Sequence, residues 1–373
     1  MTSDPRIPDS RNLRISGPTP LPGPVLEAVG EQMVSHRSGE FRHRLRRVVE
    51  RLGEVFGTRR GTILPFTASG TGGLEAAVLN TVAPGDRVLA VRCGHFGERF
   101  AEVTATFGAE VVPMDVPWGR ATDPDDLRRA LRAAGSVAAV LLTHNETSTG
   151  VLNPLPQLAA VVREETDALL LVDGVSSVGA TAVDMDELGL DIVLTASQKA
   201  LMAPPGLVIL AASPRALAAA ERGAQRRYYF DFPKMAAAVA EGTTTYTPAM
   251  GSVYGLDAAL QLMTDEGLEQ VYRRHRRLAD RCRGGLLELG LEGFADDAHA
   301  SPTVTSVLLP EKLSASEVRR RLEQEHQVFI AQGRAHLKER LLRIGHLGNV
   351  AEHHIDHLLE AFEAAMAAPA QHP

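Results

Sequence analysis

Short unbroken apolar runs punctuate the first two thirds of the chain, at positions 88–91, 137–142, 168–172, 192–194 and 207–210. Each is bounded by turn residues and shows no polar alternation, the pattern of a strand buried on both faces. Helix-like segments, such as 123–134 and 155–165, lie between them. Strand–helix–strand alternation predicts an α/β fold with a mostly parallel central sheet. Beyond about residue 265 the pattern changes. A long charged helix (268–289) leads to a Ser-Pro break at 301–302. A strand (304–309), a helix (315–325), a strand near 328–330 and a terminal helix from about Val350 follow, which reads as a smaller α+β domain. Residues 1–24 are rich in Pro and Gly and predict an extended arm. The expected division is an N-terminal arm (1–20), a large α/β domain (21–264) and a small C-terminal α+β domain (265–373).

Composition changes this picture only by exclusion. The net charge of −7 argues against nucleic acid as the main partner. Two basic runs, 42–47 and 273–277, carry apolar residues at helical spacing and read as solvated helix faces. Two cysteines, Cys93 and Cys282, make no disulfide framework, and neither has a metal-ligand spacing, so no metal site is expected. The first residues lack the apolar stretch of a signal peptide, and no segment approaches the ~18 apolar residues of a membrane span. A cytoplasmic protein without membrane contact is expected.

Parallel α/β sheets hold ligands at the carboxyl ends of their strands. Ser69-Gly70-Thr71-Gly72-Gly73 opens a helix-like segment, where bare N–H groups and a positive dipole end suit a phosphate. The same turn also serves as a plain helix cap. The run at 168–172 ends on Asp173, and the run at 192–194 leads to Lys199, one of only four lysines in an Arg-dominated chain. Lysine can form a Schiff base once burial lowers its pKa, whereas arginine cannot. The spacing alone also fits a surface lysine at a helix start. A phosphate cradle, a strand-end carboxylate and a neighbouring lysine are together the parts that pyridoxal phosphate requires.

The motifs go further. Ser69-Gly70-Thr71-Gly72, Phe96-Gly97-Glu98-Arg99, the segment 143–151 (THNETSTGV), Val172-Asp173-Gly174-Val175-Ser176-Ser177, Ser197-Gln198-Lys199-Ala200-Leu201, Pro204-Pro205-Gly206 and Arg343-Ile344-Gly345-His346 occur in one order. From about Ser16 to Phe362 the chain resembles the alanine–glyoxylate and serine–pyruvate (serine–glyoxylate) aminotransferases, class V of the fold-type I pyridoxal-phosphate enzymes. The resemblance implies that Lys199 carries the cofactor as a Schiff base and that Asp173 pairs with the pyridinium nitrogen. It implies phosphate binding by Ser69, Gly70, Thr71 and Gln198, and ring stacking by Phe96. Thr147 and Val175 would meet the ring substituents and its other face. Thr247, assisted by Tyr246, would reach the phosphate from a partner subunit, which makes a homodimer with shared sites. Arg343 would clamp the substrate α-carboxylate, with Gly17 on the substrate side; read from its position alone, Arg343 is merely a strand-end cation. The implied activity is ping-pong amino transfer from a small amino acid to a 2-oxo acid such as glyoxylate or pyruvate.

Two departures bear on substrate choice. The segment 331–336 (AQGRAH) holds bulkier residues where the family favours glycines, and Gly174 stands where a small side chain is usual. Whether Arg37 or Arg334 reads a distal carboxylate stays open, and so does a β-elimination on the same cofactor. A cysteine desulfurase needs a mobile cysteine that 325–340 lacks. A transcriptional regulator needs a DNA-binding module, for which the residues before the fold are too few.

Overall fold

The computed structural model describes residues 11–223 and 225–367. Its main sheet has seven strands: β1 (Thr62–Thr67), β2 (Arg87–Arg92), β3 (Glu110–Asp115), β4 (Ala139–Thr143), β5 (Leu169–Asp173), β6 (Ile192–Ala196) and β7 (Leu207–Ala212). They lie in the order β1-β7-β6-β5-β4-β2-β3. Every neighbouring pair is parallel except those of β7, which runs antiparallel to both β6 and β1. The five apolar runs form β2, β4, β5, β6 and β7. β1 and β3 were not expected as strands, and they are the two edges. Each carries a proline, Pro65 and Pro113, that breaks the apolar run. Proline lacks the N–H that an interior strand needs, and an edge tolerates that loss.

Helices cover both faces. Leu45, Leu52 and Phe56 of helix Gly39–Phe56, with Leu158 and Val162 of Leu155–Glu165, pack in one apolar layer. Leu74 and Val78 of Gly70–Thr81, with Phe100 of His95–Thr106, pack in the other. Burial of one large aliphatic side chain contributes roughly 1.5–3 kcal/mol, so these two layers hold the sheet together and keep water from both its faces.

A second sheet consists of β8 (Glu292–Gly293), β9 (Val304–Leu308), β10 (Ala331–Gln332) and β11 (Leu341–Gly345), antiparallel in the order β8-β9-β11-β10. Helices Leu268–Glu288, Ala315–His326 and Glu352–Ala367 bury its own cluster, including Leu286, Leu322, Ile344 and Phe362. Residues 328–330, expected as one more strand of this domain, instead pair as Val328–Phe329 with Asn12–Leu13 in parallel. The arm is thus stitched down as a strap. Arg14 N–H donates to Phe329 O at 2.7 Å, Gly345 N–H to Arg14 O at 2.6 Å, and Thr19 N–H to Gln198 O at 3.1 Å. Its extended conformation leaves these backbone groups free to bond across, which a helix would not.

The basic runs lie on helices Gly39–Phe56 and Leu268–Glu288 with His43, Arg46, Arg273, Arg276 and Arg277 exposed, but some of their other members are engaged. Arg44 lies over the Tyr254 ring at 4.1 Å, and Arg47 bonds the buried Asp257 at 2.5 Å. His275 is fully buried, its Nε2 accepting from Gly348 N–H at 3.0 Å. Among the described residues no helix is long and apolar enough to cross a membrane, and no group of three or more His, Cys, Asp or Glu could hold a metal.

Candidate active site

The carboxyl ends of β1, β5 and β6 meet at one cavity of about 180 Å³. At one end lies the start of helix Gly70–Thr81. Ser69 caps it, its Oγ accepting from Gly72 N–H at 3.4 Å, and the first turn holds no acidic residue, so the dipole end stays positive. The glycines are there for closeness. A Cβ on Gly73 would lie 2.4 Å from Val208 Cγ2, and one on Gly70 would lie 3.1 Å from Val175 Cγ2. Ser69, Gly70, Thr71 and Gln198 all line this end.

Asp173 closes β5 at the cavity floor and is 4% exposed. Its carboxyl is pushed up to about 6, first by burial; Val175 N–H, donating to Oδ1 at 2.9 Å, and Lys199 pull it down. Lys199 follows β6 in a tight turn closed by Ala203 N–H to Ser197 O at 2.9 Å. Burial lowers its ammonium to about 8, with Asp173 opposing and the charges of Arg343 and Arg334 adding. Its Nζ donates to Ser16 O of the strap. Gly17 packs on the same side chain: a Cβ there would lie 2.7 Å from Lys199 Cδ. No residue larger than glycine fits without moving the lysine.

Phe96 and Val175 both line the cavity, as do Thr147, Asn145, Ser176 and Arg99. The last three carry no role in the sequence reading, and Glu146, which anchors this wall, was also missed. Asn145, Glu146, Ser176 and Arg99 all lie inside the quoted motifs, which is the signal that could have found them. Arg99 sits over the Phe96 ring at 5.1 Å and meets His95 Nε2 at 2.9 Å. Gln198 Oε1 and Asn145 Oδ1 are buried without a partner among the described residues, an unmet capacity that a polar ligand would use. A flat heterocycle bearing a phosphate and an aldehyde fits this set: a helix N-terminus, a deep carboxylate, a lysine with a lowered pKa and an aromatic wall.

Arg343 of β11 is 5% exposed. Its Nε donates to Gln332 O at 2.8 Å and its Nη1 to Thr147 O at 3.0 Å. Among the described residues no carboxylate ion-pairs with it. Burial, then the nearby Arg334, lowers its guanidinium to about 10, which leaves it cationic. Its hydrogen bonds go to carbonyls and Glu146 acts on it only through its charge, so the cation still has room for an anion. Tyr246 and Thr247 stay outside this chain's own cavity. Tyr246 stacks on Tyr229 at 5.2 Å, Thr247 is exposed, and Arg37 bonds the same segment through Thr243 Oγ1 at 3.1 Å. Cys93 and Cys282 are fully buried, their thiols pushed up to about 12, so neither offers a mobile nucleophile.

The buried Asp173 carries a stability consequence in the cofactor-free protein. Its folded pKa of about 6 lies above the ordinary 3.8, so its contribution is present below about pH 4 and lost as pH rises through 6. Asp173→Asn should therefore stabilise the apoprotein at pH 7 by up to about 3 kcal/mol, with the gain vanishing near pH 4. Denaturant midpoints of both proteins across that range check it; a pH-independent difference would contradict it.

A model of the family described as aminotransferase class-V matches residues 12–348. The chain is 37% identical to the soluble hydrogenase small subunit of Synechococcus sp. (strain PCC 6716), over 96% of this chain and 94% of that one. It is 36% identical to the serine–glyoxylate aminotransferase of Methylorubrum extorquens, over 93% and 89%. Among solved structures, the alanine–glyoxylate aminotransferase from Nostoc sp. superposes with a TM-score of 0.91 at 30% identity, covering 98% of each chain. With the cavity described above, these place the chain in the class V aminotransferase family, as a pyridoxal-phosphate-dependent transaminase of fold type I.

Proposed function

We propose that this enzyme moves the amino group of a small amino acid, alanine or serine, to glyoxylate or pyruvate in two half-reactions. The observation that carries the reading is the buried Arg343 guanidinium, in no ion pair among the described residues and bonded to the backbone O of Thr147, which lines the cavity. An α-carboxylate is the part that amino acid and oxo acid share, and a guanidinium is its bidentate partner. Glyoxylate appears in the names of both aminotransferases compared above. When bound, pyridoxal phosphate supplies an aldehyde for the lysine and a ring that accepts electrons from the substrate Cα. Lys199 Nζ would anchor that aldehyde and, once released, would take the Cα proton and return it. Asp173 holds a proton on the ring nitrogen. Ser69, Gly70, Thr71 and Gln198 would bind the phosphate, Phe96 and Val175 would hold the ring, and Gly17 lets the strap pack on the lysine. Residues 21–264 carry the cofactor and 265–373 bring Arg343 to it. The two buried cysteines suit work in the cytoplasm.

The test is a screen of amino donors against the purified holoenzyme, followed by loss of its visible absorbance and recovery on adding glyoxylate or pyruvate. Recovery with neither oxo acid, after bleaching by alanine or serine, would overturn the acceptor assignment. Asp173→Asn should keep the cofactor yet lose most turnover, because an amide cannot hold the ring nitrogen protonated; kcat near wild type would remove that role. Thr247 and Tyr246 serve the site of a second copy, making a homodimer. Thr247→Ala should cost cofactor affinity roughly 1.5–3 kcal/mol, one hydrogen bond to a charged group, with little loss in the saturated enzyme. A monomer fully active in sedimentation at assay concentration would refute the shared site.

A further inference from the structure

Two helix N-termini come to the cavity, and the chain treats them oppositely. That of Gly70–Thr81 has no acidic residue in its first turn and only the Ser69 hydroxyl as a cap. That of His95–Thr106 begins at Gly94, which has no side chain to cap it, and is closed from a distant loop. Glu146 Oε2 accepts from Phe96 N–H at 3.0 Å and from Gly97 N–H at 3.1 Å. Its Oε1 accepts from Ser148 N–H at 3.0 Å and from Ser148 Oγ at 2.5 Å, while Ser148 Oγ takes the remaining His95 N–H at 3.0 Å. Glu146 and Ser148 are both fully buried. Burial holds the Glu146 carboxyl above its ordinary range, and the bonds from Ser148, Gly97 and Phe96 offset that only in part. Every bond to this carboxylate comes from a donor, which matches its ionised form. The approach depends on Gly94, where a Cβ would lie 2.5 Å from Glu146 Cγ.

A helix N-terminus carries roughly +0.5 of a charge, welcome beside a phosphate and unwelcome beside a protonated ring. We propose that Glu146 is a positioning residue: its buried carboxylate plugs the N-terminus of His95–Thr106, fixes Phe96 against the cofactor's ring and cancels the positive helix end on that side. Phosphate and ring are thereby sorted to the two helix ends. The inference rests on the cofactor reading, and it gives a joint role to Phe96 and Glu146, which stand in two motifs about fifty residues apart.

The test uses the apoprotein of wild type, Glu146→Gln and Ser148→Ala, titrated with pyridoxal phosphate by absorbance and with inorganic phosphate by thermal shift. Glu146→Gln should weaken pyridoxal phosphate at least about tenfold and leave inorganic phosphate unchanged, since the cradle at Gly70–Thr81 is untouched. Ser148→Ala, which keeps the charge, should lower Tm yet hold cofactor affinity within about threefold. A purely structural cap would weaken both ligands together, or make Ser148→Ala as harmful as Glu146→Gln, and either result overturns the proposal. Should Glu146→Gln not fold, amide exchange in the wild-type apoprotein decides. Phe96 and Gly97, at helix positions with no intrahelical acceptor, must exchange slowly, and rapid exchange there overturns it. Wild type that takes up no pyridoxal phosphate overturns the cofactor reading and this inference with it, whereas failure confined to the variants overturns this inference alone.

Discussion

Lys199→Ala should leave the protein without a covalently held cofactor and with turnover reduced on the order of 10⁴-fold or more, the upper scale for removing a general acid–base group. The cause is the local pKa. At about 8, the amine is neutral at pH 7 about three-hundredfold more often than at the ordinary 10.5. Burial supplies the shift, and Asp173 keeps it from falling further. Lys199→Arg should be as inactive as the alanine variant, because a guanidinium keeps the charge but cannot act as a nucleophile. Borohydride reduction of wild type followed by peptide mapping checks the assignment. An adduct on Lys234, Lys312 or Lys338 would overturn it; Lys234 already sits out over the Tyr228 ring beside Asp231.

Arg343→Ala should lower kcat/KM by about 3–5 kcal/mol in both half-reactions, the scale for deleting one partner of a buried charge pair. Cofactor absorbance should survive, because Arg343 bonds to Thr147 O and Gln332 O and not to the phosphate end. Arg343→Lys should not rescue. A point charge can replace one of those carbonyl bonds but not the planar fork that aligns a carboxylate. The Gln332 and Thr147 bonds pin the guanidinium plane, so the geometry is set before substrate arrives. Single-turnover rates with an amino donor, and separately with glyoxylate, decide the matter. Wild-type rates in either direction would return Arg343 to a structural cation on β11.

Much of this site is legible in the amino-acid sequence. Lys199 and Asp173 stand just past, or at the end of, apolar runs too short for helices, and strand ends are where parallel sheets bind ligands. Gly70 and Gly73 open a helix without an acidic first turn. The edge strands β1 and β3 are not legible, because Pro65 and Pro113 interrupt their apolar pattern and edge position relaxes the need for it. The reversed direction of β7 is illegible for another reason. A strand buried on both faces carries the same apolar run whichever way it points.

What the sequence determined by itself was therefore chemistry and local form: which side chains can react, which segments are strands, and where a helix start is left positive. Pairing across distance was decided only by the tertiary structure. The 143–151 loop carries its motif openly, but nothing local shows that Glu146 seizes the amides of Phe96 and Gly97, or that Thr147 O receives Arg343. The strap likewise reads as a Pro-Gly arm until Asn12–Leu13 finds Val328–Phe329 and Ser16 O meets Lys199. Periodicity and capping act over a few residues, whereas these contacts join groups that only the packed layers bring within hydrogen-bond reach.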